Sequence, residues 1–153
     1  MNARHAWLPC TIGDVCEFES GNGFTPQDWK ARGLPIIRIQ NLNGSQSFNY
    51  FDGEPDPDWI VEPGDLLFAW AGVKGVSFGP TVWNGPKGVL NQHIYRIRPK
   101  AGINKNWLHY TLEEVTSEIE GKAHGFKTSL VHVRKSDITG AKVALPSETD
   151  FDS

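Results

Sequence analysis

The stretch VLNQHIYRIRPKAGINKNWLHYTL, residues Val89 to Leu112, decides the fold class because its hydrophobic period changes part-way along. QHIYRIRP alternates apolar and polar residues, the mark of a strand with one face buried. That alternation puts Arg96 and Arg98 on the same face. Pro99-Lys100-Ala101-Gly102 then turns the chain. Beyond it Leu108, Leu112, Val115 and Ile119 recur at spacings of four, three and four, one apolar stripe of a helix. Asn104 or Asn106 supplies an N-cap, and Gly121 stands where a left-handed C-cap falls. The helix is therefore expected from about Asn106 to Glu120. Its outer face carries Glu113, Glu114, Glu118 and Glu120, which suits a scaffold and repels phosphate.

The rest of the chain supplies short strands. GLPIIRIQNLNG (Gly33–Gly44) reads as a strand with Ile37 and Ile39 on one face and Ile36, Arg38 and Gln40 on the other, turned by Asn41-Leu42-Asn43-Gly44. In VEPGDLLFAWAGVKG (Val61–Gly75), Pro63-Gly64-Asp65 forms a tight turn, and Leu66 to Trp70 form an uninterrupted apolar strand of the kind buried on both faces. AKVALP closes the series. Several short strands with one long amphipathic helix and several loops give an α+β domain whose strands are mostly antiparallel or mixed, not a doubly wound parallel sheet. Residues 1–146 form one domain, and 147–153 an acidic tail.

The 153 residues are 39% hydrophobic and 11% aromatic, with six Trp, enough for a packed core. No apolar run approaches the ~20 residues of a membrane span. The N-terminal MNARHAWLPC lacks the apolar centre of a secretory signal. Cys10 and Cys16 have no CxxC spacing and read as buried free thiols of a cytosolic protein. The net charge of −3 hides an asymmetry: residues 1–65 hold 4 Lys/Arg and 10 Asp/Glu, while residues 66–146 hold 11 and 5. Such a split points either to an anionic partner or to two halves that neutralise each other on folding.

The chain contains no GxGxxG, no Walker loop and no GxSxG elbow. Its five His show no metal-ligand spacing, and no cofactor is implied. Two rival functions keep a foothold. Glu120 and Lys122, with Pro57-Asp58 upstream, form an acid-x-Lys step of the kind metal-dependent nucleases use. Trp29, Trp59 and Trp83, if exposed, would suit a β-rich protein- or carbohydrate-binding module.

A polyanion-binding reading accounts for more residues. Segment 121–142 has five Lys/Arg against Asp137 alone. There Lys122, His124, Lys127, Thr128, Arg134 and Lys135 form a basic loop able to neutralise phosphates. Arg38, Gln40, Asn41, Lys74, Arg96 and Arg98 are candidate groove or phosphate contacts, since Arg reads guanine and Asn or Gln reads adenine. Asn22, Phe24 and Thr25, in the first glycine loop, are placed to approach DNA closely. The alternative role for Arg96 and Arg98 is to pair with the acidic first half.

In order along the chain, W…TIGDV (Trp7, Thr11–Val15), SGNGFTP (Ser20–Pro26), GLPIIRIQNLNG, VEPGDLLFAWAG (Val61–Gly72), LNQHIYRIRP (Leu90–Pro99), the helix and the final ALP (Ala144–Pro146) resemble the target recognition domain of type I restriction–modification specificity subunits. The resemblance implies a non-catalytic, cytoplasmic DNA-recognition domain that reads one half of a bipartite duplex target. Its implied partners are double-stranded DNA, adenine-N6 methyltransferase subunits and restriction subunits. Two such domains and their spacer helices make up a family member. LPSETDFDS stops short of a spacer helix, so the expectation is one domain of a longer subunit, and the initiating Met suggests the N-terminal one. The family's base-contacting residues change with the sequence read, so none is carried over, and the candidates above rest on charge and strand alternation.

Overall fold

The structure, a computed structural model, describes residues 8–69, 71–73, 78–122, 130–132 and 135–146. Its centre is a four-stranded antiparallel sheet in the order β2-β11-β7-β9, formed by Cys16–Ser20 (β2), Ile94–Pro99 (β11), Leu66–Ala69 (β7) and Gly79–Val82 (β9). Leu66, Leu67, Phe68 and Ala69 are all buried, as the unbroken apolar run predicts. Alternation sends them in two directions. Leu66 and Phe68 join Phe18, Tyr95 and Ile97 in one core, and Leu67 joins Ile94 in another.

Helices cover the first core. Ile12–Val15 (α1) contributes Ile12 and Val15, and Lys135–Thr139 (α4) contributes Ile138. The long helix Lys105–Lys122 (α3) contributes Leu108, Leu112 and Val115, the predicted stripe. Asn104 caps α3: its Oδ1 accepts from the N–H groups of Asn106 at 2.9 Å and Trp107 at 3.0 Å. The C-terminal expectation is corrected, because Gly121 lies within the helix and does not end it. Glu113, Glu114 and Glu118 face solvent.

The second core lies under a five-stranded mixed sheet in the order β3-β5-β4-β10-β6: Trp29–Lys30 (β3), Asn49–Phe51 (β5), Leu34–Ile37 (β4), Gly88–Leu90 (β10) and Ile60–Val61 (β6). The β4–β10 pair is parallel, with Val89 opposite Ile36 and Leu90 opposite Ile37. This sheet too is buried on both faces. Ile37, Val61 and Leu90 meet Leu67, Ile94 and Trp83 beneath it. Ile36 and Val89 pack above it with Phe24, Trp29, Phe51 and Trp59. The molecule is thus layered as helices, sheet, sheet and an aromatic cover, an α+β arrangement as expected. Leu8–Thr11 (β1) pairs with Lys142–Leu145 (β13), and Ala71–Val73 (β8) with Leu130–His132 (β12).

Two expectations are revised. The strand through Gly33–Gln40 ends at Ile37, and Ile39–Leu42 form a helical turn (α2). Asn41 drives this change by accepting from the Arg38 N–H at 2.9 Å, a local bond that competes with strand pairing. None of the three tryptophans expected of a sugar-binding module is exposed. Trp83 is buried and donates to the Pro86 carbonyl at 2.8 Å, while Trp29 and Trp59 are half-buried in the aromatic cover.

Helix α3 crosses β9 at Gly79. The φ of Gly79 is +118°, and a Cβ there would sit 3.0 Å from Thr116 Cγ2. Thr116 is itself buried and fixed by donating to the Leu112 carbonyl at 2.7 Å. Gly79→Ala is therefore expected to destabilise the fold by about 1–3 kcal/mol, measured as a lower denaturant midpoint at unchanged slope.

Candidate nucleic-acid interface

Arg96 and Arg98 share a face of β11, as alternation requires, but that face looks towards the second sheet. Arg96 is 6% exposed. Its Nη1 donates to the Ile60 carbonyl on β6, joining the two sheets. Its Nη2 lies 3.4 Å from Glu19 Oε1, and Glu19 is its register partner on β2. Arg98 is half exposed, and its Nε donates to the same carboxylate. The groove contact expected of Arg96 is thus replaced by a structural role. Both guanidiniums take the alternative reading, pairing with the acidic half of the chain. A buried cation stripped of water needs such partners.

The same pattern extends to other cations of the second half. Lys100 donates to the Gly13 carbonyl at 3.1 Å, Lys105 to the Gly64 carbonyl, and Lys135 to the Phe18 carbonyl at 3.2 Å. Lys135 also lies 5.7 Å from the centre of the Tyr95 ring. A pocket of about 370 Å³ beside β11 is lined by Arg96, Arg98 and Lys105, but also by Glu62 and Asp65. With Glu19 on both guanidiniums, its charges balance. Lys74, His124, Lys127, Thr128 and Arg134 lie outside the described residues. Lys122 ends α3, and its side chain is likewise outside them.

The glycine-loop candidates divide. Phe24 is buried against Phe51 and Trp59, at ring distances of 5.1 and 5.5 Å, so the expected DNA approach is corrected to a packing role. Asn22 is half-buried and Thr25 exposed. The loop is held down by the turn between β10 and β11. Asn22 N–H donates to Leu90 O at 2.9 Å, and Gln92 N–H donates to Asn22 O at 2.8 Å. A Cβ on Gly21 would fall 2.0 Å from the Asn91 carbonyl oxygen, so only glycine permits this crossing. The sequence signals SGNG and NQ are therefore two sides of one joint.

The third group lies on the loop after β4. Asn41 is 5% exposed, so its side chain is not available to a groove. Besides accepting from Arg38, its Nδ2 donates to the carbonyls of Ser45 and Ser47, each at 3.0 Å. Gln40 is exposed on the same loop. Arg38 is half-buried, its Cζ 5.2 Å from the centre of the Trp29 ring, and its Nη1 donates to Asn49 Oδ1 at 3.1 Å. Among the described residues, Arg38 has no carboxylate partner. Asn43 and Gln46, which charge and alternation passed over, stand exposed beside Gln40. Their only sequence signal was their place in the amide-rich run QNLNGSQ.

Among the described residues no group of three His, Cys, Asp or Glu is placed to hold a metal ion. Glu120 and Lys122 fall in the last turn of α3, with side chains outside the description. No described helix is long and apolar enough to cross a membrane. The cysteines are free, Cys10 half-buried and Cys16 buried.

The whole layered chain can be set beside known proteins. Residues 5–150 match the family described as Type I restriction modification DNA specificity domain. The chain belongs to that family. The specificity subunit of the Escherichia coli type I restriction enzyme EcoBI is 24% identical over 149 residues, which cover 95% of this chain and 30% of that protein. The crystal structure of the HsdS subunit from Thermoanaerobacter tengcongensis superposes with a TM-score of 0.67 at 18% identity, over 98% of this chain and 36% of that one. The type I restriction–modification system S subunit from M. genitalium gives 0.64 at 15% identity, over 98% and 37%. This specificity domain therefore spans about a third of its relatives' length and shares their fold. The resemblance read from TIGDV, GDLL and NQHIYRIRP is borne out.

Two measurements check the structural roles. Arg96→Ala strips the buried link between the sheets and leaves the Ile60 carbonyl without its donor, while Glu19 keeps Arg98, so it is expected to cost about 1–3 kcal/mol of stability. Arg98→Ala, at a half-exposed pair, is expected to cost less than ~1 kcal/mol. Chemical denaturation of the two variants separates them. Burial pushes the Cys16 thiol up to about 12. Since the thiolate is the reactive form, Cys16 should resist alkylation at pH 8 in the folded chain and react on unfolding, as mass spectrometry of trapped adducts would show.

Proposed function

We propose that this domain recognises one half of a bipartite sequence in double-stranded DNA, as part of a cytoplasmic type I restriction–modification specificity subunit. It does no bond chemistry itself. Adenine-N6 methyltransferase and restriction subunits of the assembled complex act where it directs them. The observation that carries this reading is the family match across residues 5–150, nearly the whole chain. The EcoBI relative, named as a specificity subunit, supports it.

The division of the cations refines the proposal. Arg96, with the weaker ties of Arg98, Lys100, Lys105 and Lys135, belongs first to the fold. Phosphate contact falls to Arg38, to Thr25 and Asn22 at the glycine loop, to Lys74, and to the basic loop of Lys122, His124, Lys127, Thr128 and Arg134. Neutralising phosphates releases counterions, so duplex affinity should fall steeply, by about tenfold or more, between ~50 and ~200 mM salt. Titration of a labelled duplex by fluorescence anisotropy measures this. A flat salt dependence, or cleavage of DNA by the chain with magnesium alone, would overturn the reading.

A further inference from the structure

The loop from Arg38 to Ser47 is held at several points. It is anchored from below: Ile39, Leu42 and Phe48 pack against the second core, and Phe48 meets Trp83 edge-on at 6.4 Å. It is clamped from within, because Asn41 ties Arg38, Ser45 and Ser47 together through three hydrogen bonds. The backbone adds a Ser45 N–H to Gln40 carbonyl bond at 3.0 Å, and Gly44 turns at a φ of +106°. A loop so held loses little conformational freedom when it meets a partner.

What it presents is unusual. Gln40, Asn43 and Gln46 are exposed, and none of their side-chain amides is hydrogen-bonded among the described residues. From Gly33 to Phe51 the chain has no carboxylate, and its one cation is Arg38. This stretch lies within the half of the sequence that is otherwise strongly acidic. The Arg38 guanidinium lies over the Trp29 ring and bonds a neutral Asn49, with no carboxylate partner among the described residues. Amides on a well-held loop free of carboxylates, beside a cation bonded only to a neutral amide, suit a polyanion whose interior edges offer paired donors and acceptors.

We propose that this loop is the base-reading element of the domain, resting on the DNA-recognition reading above. Gln40, Asn43 and Gln46 meet base edges in the major groove, where an Asn or Gln amide pairs with adenine N6 and N7. Arg38 takes the adjoining phosphate or a guanine edge. Arg96 and Arg98, the residues that the strand pattern favours, are not the readers, because Glu19 and Ile60 hold them.

The test uses the 153-residue chain and a pool of duplexes with a randomised central segment, sequenced after selection. The triple variant Gln40→Ala, Asn43→Ala, Gln46→Ala changes only exposed side chains, so its unfolding midpoint should match the parent. It should hold random duplex within about threefold of the parent, since phosphate contacts carry that term. Its discrimination should fall about 5- to 150-fold at one or more base positions. Arg38→Ala should weaken binding with a smaller salt slope. If the triple variant keeps the parent's preference, the reader assignment fails and the DNA-recognition proposal stands. If the parent binds every duplex equally, or binds none, both fail.

Discussion

The architecture depends on burying a four-residue strand on both faces. Leu66 to Ala69 present apolar side chains above and below, so β7 needs a cover on each side. The helices α1, α3 and α4 supply one, the five-stranded sheet the other. That second sheet has the same problem, since Ile36 and Ile37 point oppositely and both are fully buried. The aromatic layer of Phe24, Phe51, Trp29 and Trp59 solves it. Four layers follow from two doubly buried strands, with most of the stabilisation coming from apolar area removed from water.

Stacking two sheets leaves polar edges to be joined, and charge does that work. Glu19 on β2 gathers Arg96 and Arg98 from β11, and Arg96 reaches on to a carbonyl of β6. Lys100, Lys105 and Lys135 bond carbonyls of the first half in the same way. Several cations of the second half are thereby held by the fold. The field offered to a polyanion is narrower than a count of Lys and Arg implies. It includes Arg38, whose guanidinium bonds a neutral amide rather than a carboxylate.

Legibility followed the range of the interaction involved. The stripe of α3 and a cap at Asn104 or Asn106 were readable because each rests on contacts within four residues, and the structure chose Asn104. The burial of Leu66–Ala69 was readable because an unbroken apolar run has no solvated face. The end of β4 at Ile37 was not, since it depends on Asn41 reaching back to Arg38 and on to Ser45 and Ser47. Gly121 resembled a helix stop by residue type, yet α3 continues through it. Family membership was legible for a different reason: short motifs that are weak singly kept one order over the chain.

The sequence by itself determined the α+β class, the strand and helix periods, the family and the want of a recognisable catalytic motif. These are properties of local pattern, and local pattern survives without coordinates. Only the tertiary structure decided which polar residues are spent and which remain. Alternation put Arg96 and Arg98 on a common face but could not say that the face meets a second sheet. The fate of a charged side chain is fixed by what lies across from it, 77 residues away for Arg96 and Glu19, and that distance is closed only by folding.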